Sequence, residues 1–154
     1  MSEAIRVANV LLQNDKQQIL LLRRSAKLLD AGKWGLAGGL IDANETPLSA
    51  ACRELAEETG IQEGDIILGA MSRFMVLTNR ENIEINMVRA LLTASRPIVV
   101  DNEEHAGYTW KSVDDMFNLP GLLPGLPTMI AAMLDKPIQT TDSTITSDVH
   151  IYLL

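Results

Sequence analysis

The sequence predicts a mixed α/β domain, of the α+β kind, in which helices cover a single sheet. Three observations carry this. Segments rich in strand formers lie both before and after one strong helix. That helix, over residues 47–59, repeats its apolar positions along one arc. The chain of 154 residues has no internal repeat and no linker before residue 139, which suits one domain with a full core.

The elements follow in order. AIRVANVLLQ (4–13) and QILLLRR (18–24) read as strands joined through the polar turn NDKQ. SAKLLDAGK (25–33) is a loop, and Trp34 opens a short extended piece before the pair Gly38-Gly39. Thr46 is placed to cap the helix, Pro47 suits its first turn, and Gly60 is a left-handed stop. DIILGAMSRFMVLT (65–78) and IEINMVRALLT (83–93) read as strands around NREN. YTWKS is a short strand ending near Ser112, and SVDDMF a capped helical turn. LPGLLPGLP is broken by proline and glycine; TMIAAMLDK (128–136) is a last helix stopped by Pro137. Residues 1–137 are read as the domain and 138–154 as a tail that adds a strand.

Thirteen basic against twenty acidic residues give a net charge of −7, which argues against a nucleic-acid groove or an anionic membrane as the main partner. A single cysteine, Cys52, leaves no intramolecular disulfide. The start, MSEAIRVANVLL, lacks the pattern of a signal peptide, and no apolar run is long enough to span a bilayer. A cytoplasmic location is the expectation.

The helix raises an electrostatic question. At about 100° per residue, Leu48, Ala51, Cys52, Leu55 and Thr59 fall on the arc expected to lie on the sheet. Glu54, Glu57 and Glu58 fall opposite, with the small Ala50 below them. Like charges at this spacing repel by roughly 0.2–0.5 kcal/mol per pair, and Arg53 offsets only part of that. Clustered oxygen donors suit Mg²⁺, which also shares itself with substrate phosphates. A solvated acidic face is the competing reading.

The full pattern decides between them. Gly39, five residues, Glu45, seven residues, then Arg53-Glu54-Leu55, one residue, Glu57-Glu58, one residue and Gly60-Ile61 resembles the Nudix box at every fixed position. LLLRRS, KWGLAGG and an acidic loop before a tryptophan resemble the framework of MutT-type members over about residues 4–135. The resemblance implies a mixed sheet between helices, with the box as loop–helix–loop. It also implies Mg²⁺- or Mn²⁺-dependent attack of water on a diphosphate bond in a nucleoside diphosphate linked to another group. One departure is Ala37, where relatives usually have proline.

Carried over by position, Glu57 and Glu58 lead as metal ligands, and Glu54 is a further ligand or the base. Arg53 orients a carboxylate, with Glu45 behind it. Gly39, or its neighbour Gly38, supplies a carbonyl or a close backbone approach to substrate. In the loop NEEHAG, Glu104 lies six residues before Trp110 and is the candidate for an extra ligand or general base, with Glu103 as the alternative. Arg24 matches a phosphate-contacting arginine; Arg23, on the opposite face, is second choice.

Trp34 and Trp110 read as anchors, and His105 and His150 take no role. Cys52 reads as buried and inert, and methionines 71, 75, 87, 129 and 133 as core. The partner expected is a nucleotide-derived small molecule; a homodimer is carried over from relatives, many of which are dimers. The alternative function is a non-catalytic nucleotide-ligand sensor that kept the fold. VHIYLL (149–154) is charge-free and rich in strand formers, so it is expected to pair with its own sheet or a second subunit.

Overall fold

A computed structural model describes residues 3–136, 142–146 and 148–154. The strands are β1 (Ile5–Gln13), β2 (Ile19–Arg24), β3 (Trp34–Gly35), β4 (Ala37–Leu40), β5 (Ile66–Leu77), β6 (Asn82–Leu92), β7 (His105–Lys111) and β8 (His150–Leu153). The helices are α1 (Pro47–Thr59), α2 (Val113–Phe117) and α3 (Leu126–Met133).

All eight strands belong to one sheet, whose main path is β3-β2-β1-β6-β5-β8, with β4 paired to β1 and β7 to β2. β1 runs parallel to β6, and every other pairing is antiparallel, so the sheet is mixed. Ala37 is buried in β4 opposite Val10, where it continues the ladder.

Strand alternation divides the core in two. Ala8, Val10, Leu12, Leu20, Leu22, Val88 and Ala90 pack with Ala50, Ala51 and Leu55 of α1 on one face. Leu11, Ile19, Leu21, Phe74 and Met87 pack with residues of α2 and α3 on the other. Fully burying a leucine or isoleucine contributes about 1.5–3 kcal/mol relative to leaving it exposed, so each face fixes the register of the strands beneath it.

Helix α1 spans the predicted residues. The Thr46 side chain accepts from the Ser49 N–H, and Gly60 closes the helix at φ 80°. The predicted apolar arc needs correction, however. Leu48 is exposed and Cys52 half-buried, while Ala50 and Glu58 are buried. Two adjacent alanines let the helix lie close to the sheet, which turns Glu58 inward. Burial raises the Cys52 thiol above its usual value, with Glu63 adding to the effect.

Three other expectations shift. Helix α3 begins at Leu126, inside the segment that reads as broken, with Gly125 at φ 79° before it and Pro127 in its first turn. Pro137, the predicted stop, lies outside the described residues. Among the methionines, Met87 and Met129 are buried, but Met71 is exposed. Within VHIYLL, His150–Leu153 form β8, antiparallel to β5 at the edge of the chain's own sheet. Among the described residues, no helix is long and apolar enough to cross a membrane.

Candidate active site

The site is built where β4, α1, the end of β2 and the start of β7 meet. Gly38 is a steric necessity here, and Gly39 leaves room for the Glu54 carboxylate. A Cβ on Gly38 would strike Asn9 and the Ala8 carbonyl, and one on Gly39 would lie 2.5 Å from Glu54 Oε1. The glycine pair lets the strand run directly under the acidic helix.

Glu58 is the most enclosed carboxylate, only 2% exposed. Its Oε1 accepts the Gly38 N–H at 2.7 Å, and its Oε2 lies 3.4 Å from His105 Nε2. Burial pushes its carboxyl up to about 8; the Gly38 hydrogen bond works against this, and the charges of Glu54 and Glu104 reinforce it. Burial likewise lowers the His105 imidazole, so His105 is neutral near pH 7. Its Nδ1 is buried with no hydrogen-bond partner among the described residues.

Arg53 organises the open side. Its Nε and Nη2 donate to the two oxygens of Glu45 at 2.7 and 2.8 Å, a bidentate clamp. Nη1 donates to Glu54 at 3.0 Å and to Glu57 at 3.3 Å, and Nη2 also reaches the Leu40 carbonyl at 3.2 Å. The guanidinium beside Glu45 holds that carboxyl down at about 2. Glu54 is raised above its usual value by burial, against the pull of Arg53. Part of the charge that seemed unmatched on the helix is therefore met internally. Glu57 remains more exposed than Glu54, at 57% against 14% for the side chains, and the predicted common arc splits into three different environments.

Two loops bring in the rest. Ser25 is buried; its N–H donates to the Glu104 carbonyl and its hydroxyl to the Glu103 carbonyl, pinning the acidic loop to the end of β2. Glu104 faces Glu58 and His105, and one ligand atom from each of the three lies within 4.8 Å of the others. Glu103 turns out to an exposed pair with Lys27 at 3.2 Å. A register shift between Arg23 and Arg24 sets Arg24 opposite His105, near enough for its charge to lower both Glu58 and His105. Arg24 Nε donates to the Leu29 carbonyl, whereas Arg23 donates to the Gly32 carbonyl.

The structure thus gathers Glu54, Glu58, Glu104, Arg24, Gly38 and Gly39, with Arg53 and Glu57 along the open flank and Arg23 apart. His105 and Ser25 were missed. A lone histidine has no spacing signal, and Ser25 acts through its backbone contacts; adjacency to Glu104 was the one clue to His105.

Chemically, the carboxylates of Glu58 and Glu104 with the imidazole of His105 form a cluster that could hold a metal ion. A NUDIX domain profile matches residues 4–133. A putative 8-oxo-dGTP diphosphatase of Bacillus subtilis is 33% identical over 119 residues, covering 76% of this chain and 68% of that protein. An RNA pyrophosphohydrolase of Halorhodospira halophila is 40% identical over 67 residues, covering 43% of this chain but only 35% of the relative's length. Among solved structures, the MutT protein from Methanosarcina mazei superposes with a TM-score of 0.70 at 26% identity, covering 88% of this chain and 96% of that one.

The sheet between helices and the carboxylate site define the class, a NUDIX domain. The chain belongs to the NUDIX family and is of the MutT type.

Proposed function

We propose that this chain is a pyrophosphohydrolase that splits a diphosphate bond in a nucleoside diphosphate linked to another group, with Mg²⁺ or Mn²⁺ as cofactor. The observation that carries it is the convergence of Glu54, Glu58 and Glu104 above a glycine pair that lets the strand pass close beneath them. Its carboxylate-rich donor set suits a hard divalent cation, and the buried Nδ1 of His105, without a hydrogen-bond partner among the described residues, supports a further occupant of the polar floor.

Glu58 and Glu104, with Glu54 one turn earlier and Glu57 beside Glu58, would hold the cation, and the Gly39 backbone would approach it. When bound, it neutralises diphosphate oxygens and lowers the pKa of a coordinated water. The protein's own groups do the remaining work. Arg53 fixes Glu54 and Glu57 in place while itself held by Glu45. Arg24 supplies positive charge on the face where a diphosphate would lie, and Ser25 keeps Glu104 turned inward. Glu54 or Glu104 accepts the proton from the attacking water. Substrates named for relatives, 8-oxo-dGTP and RNA, belong to the range to be tried, alongside nucleotide sugars and ADP-ribose-like compounds. The net charge of −7 favours a small nucleotide over a long nucleic acid.

The test is a screen of phosphate and pyrophosphate release over nucleoside diphosphate derivatives with Mg²⁺. Turnover of at least one compound is expected. Saturable nucleotide binding with no turnover of any compound would instead favour a non-catalytic sensor.

A further inference from the structure

We propose that β8 is a dimerisation edge, on which a second copy of this chain pairs antiparallel through the same strand, centred on Tyr152. β8 ends the sheet path, and β5 is its one strand neighbour among the described residues. Residues 149–154 carry no Asp, Glu, Lys, Arg or Pro, the devices that ordinarily blunt an open edge.

The register of β8 fixes which groups face outward. Leu154 donates its N–H to the Arg73 carbonyl, and the pairs Phe74–Leu153, Met75–Tyr152, Val76–Ile151 and Leu77–His150 follow in antiparallel order. Hydrogen-bonded pairs alternate in such a ladder, so His150, Tyr152 and Leu154 turn their backbone groups toward β5. Ile151 and Leu153 therefore turn theirs to the open edge. No hydrogen bond to those outward groups exists among the described residues.

A twofold axis at Tyr152 satisfies them. Ile151 of each copy meets Leu153 of the other in a hydrogen-bonded pair, giving four backbone bonds in all. Tyr152 then faces Tyr152 in a close non-hydrogen-bonded pair, and Leu154 faces His150 on the same side of the ribbon. The exposed apolar side chains Tyr152, Leu153 and Leu154, at 52%, 64% and 55% exposure, all gain a neighbour. A charge-free edge lets two copies of a −7 chain approach there with little local repulsion. The contact is one four-residue strand per copy, smaller than a standard protein interface. The dimer is accordingly weak and concentration-dependent.

Sedimentation of the full chain across a concentration series is the first measurement. A reversible monomer–dimer equilibrium is expected, abolished by Tyr152→Lys, which sets two ammonium groups face to face. Cross-linking fixes the register. In a Cys52→Ser background, Tyr152→Cys is expected to oxidise to a covalent dimer, because directly opposed residues bring their Cβ atoms within disulfide reach. Leu153→Cys, two positions out of register with its own copy, is expected to stay monomeric under the same oxidant. A protein that is monomeric to its solubility limit, a dimer indifferent to Tyr152→Lys, or cross-linking at 153 rather than 152 each overturns the proposal.

Discussion

Glu58 and His105 face each other across the floor of the site, Oε2 to Nε2 at 3.4 Å, with both side chains almost wholly enclosed. The histidine is neutral and the carboxyl is pushed up to about 8 by burial, so without metal the pair holds a proton that the unfolded chain has released. The folded value lies above the ordinary 4.5, so this contribution to stability is present below about pH 4.5 and lost as pH rises through 8. Thermal melts in EDTA are expected to fall by roughly 5–10 °C between pH 6 and pH 9, the scale of a penalty of about 3 kcal/mol. Glu58→Gln should flatten this limb. A flat wild-type profile means Glu58 is not desolvated as described.

The acid side has a different owner. Glu45 is held at about 2 by Arg53, so its contribution is present above about pH 4.5 and lost as pH falls toward 2. Arg53→Gln is expected to reduce that acid dependence and to lower hydrolysis by about 10–100-fold, as for other residues that orient ligands. Unchanged activity in this variant would leave the clamp with no part in positioning Glu54 and Glu57.

Gly39→Ala tests the close approach of strand and helix. A Cβ there falls 2.5 Å from Glu54 Oε1 and must displace it. A misplacement of about 1 Å in a catalytic group costs on the order of 100-fold, so activity should drop by that scale. The far-ultraviolet circular dichroism spectrum should stay native. Wild-type turnover in Gly39→Ala would show that Glu54 is free to move without consequence.

Glu103 and Glu104 are neighbours in sequence with opposite surroundings, one on exposed Lys27 and one facing Glu58. Glu104→Gln should reduce turnover by at least about 10-fold, while Glu103→Gln changes it little. Equal small effects would assign the proton transfer to the box helix, at Glu54.

Much of this was legible because local signals agreed with the fold. Thr46, Pro47 and Gly60 mark the ends of α1 by cap chemistry, and the box spacing points to the same carboxylates that the sheet then gathers. What was not legible depended on packing. The helical wheel gives spacing but not rotation, and Ala50-Ala51 turned α1 so that Glu58 went inward while Leu48 and Cys52 stayed out. The start of α3 was hidden by prolines and glycines that also occur at helix beginnings. His105 entered the site through a bulge in the pairing of β2 with β7, which no residue pattern announces.

The most direct measurement is hydrolysis of a nucleoside diphosphate derivative, followed across a Mg²⁺ and Mn²⁺ titration, by the wild-type chain and by Glu58→Gln and Glu57→Gln. Turnover should be absent in EDTA, rise saturably with metal, and fall by at least about 100-fold in either variant, each still folded by circular dichroism. Full turnover in EDTA, or in both glutamine variants, would contradict a metal-dependent carboxylate site on α1.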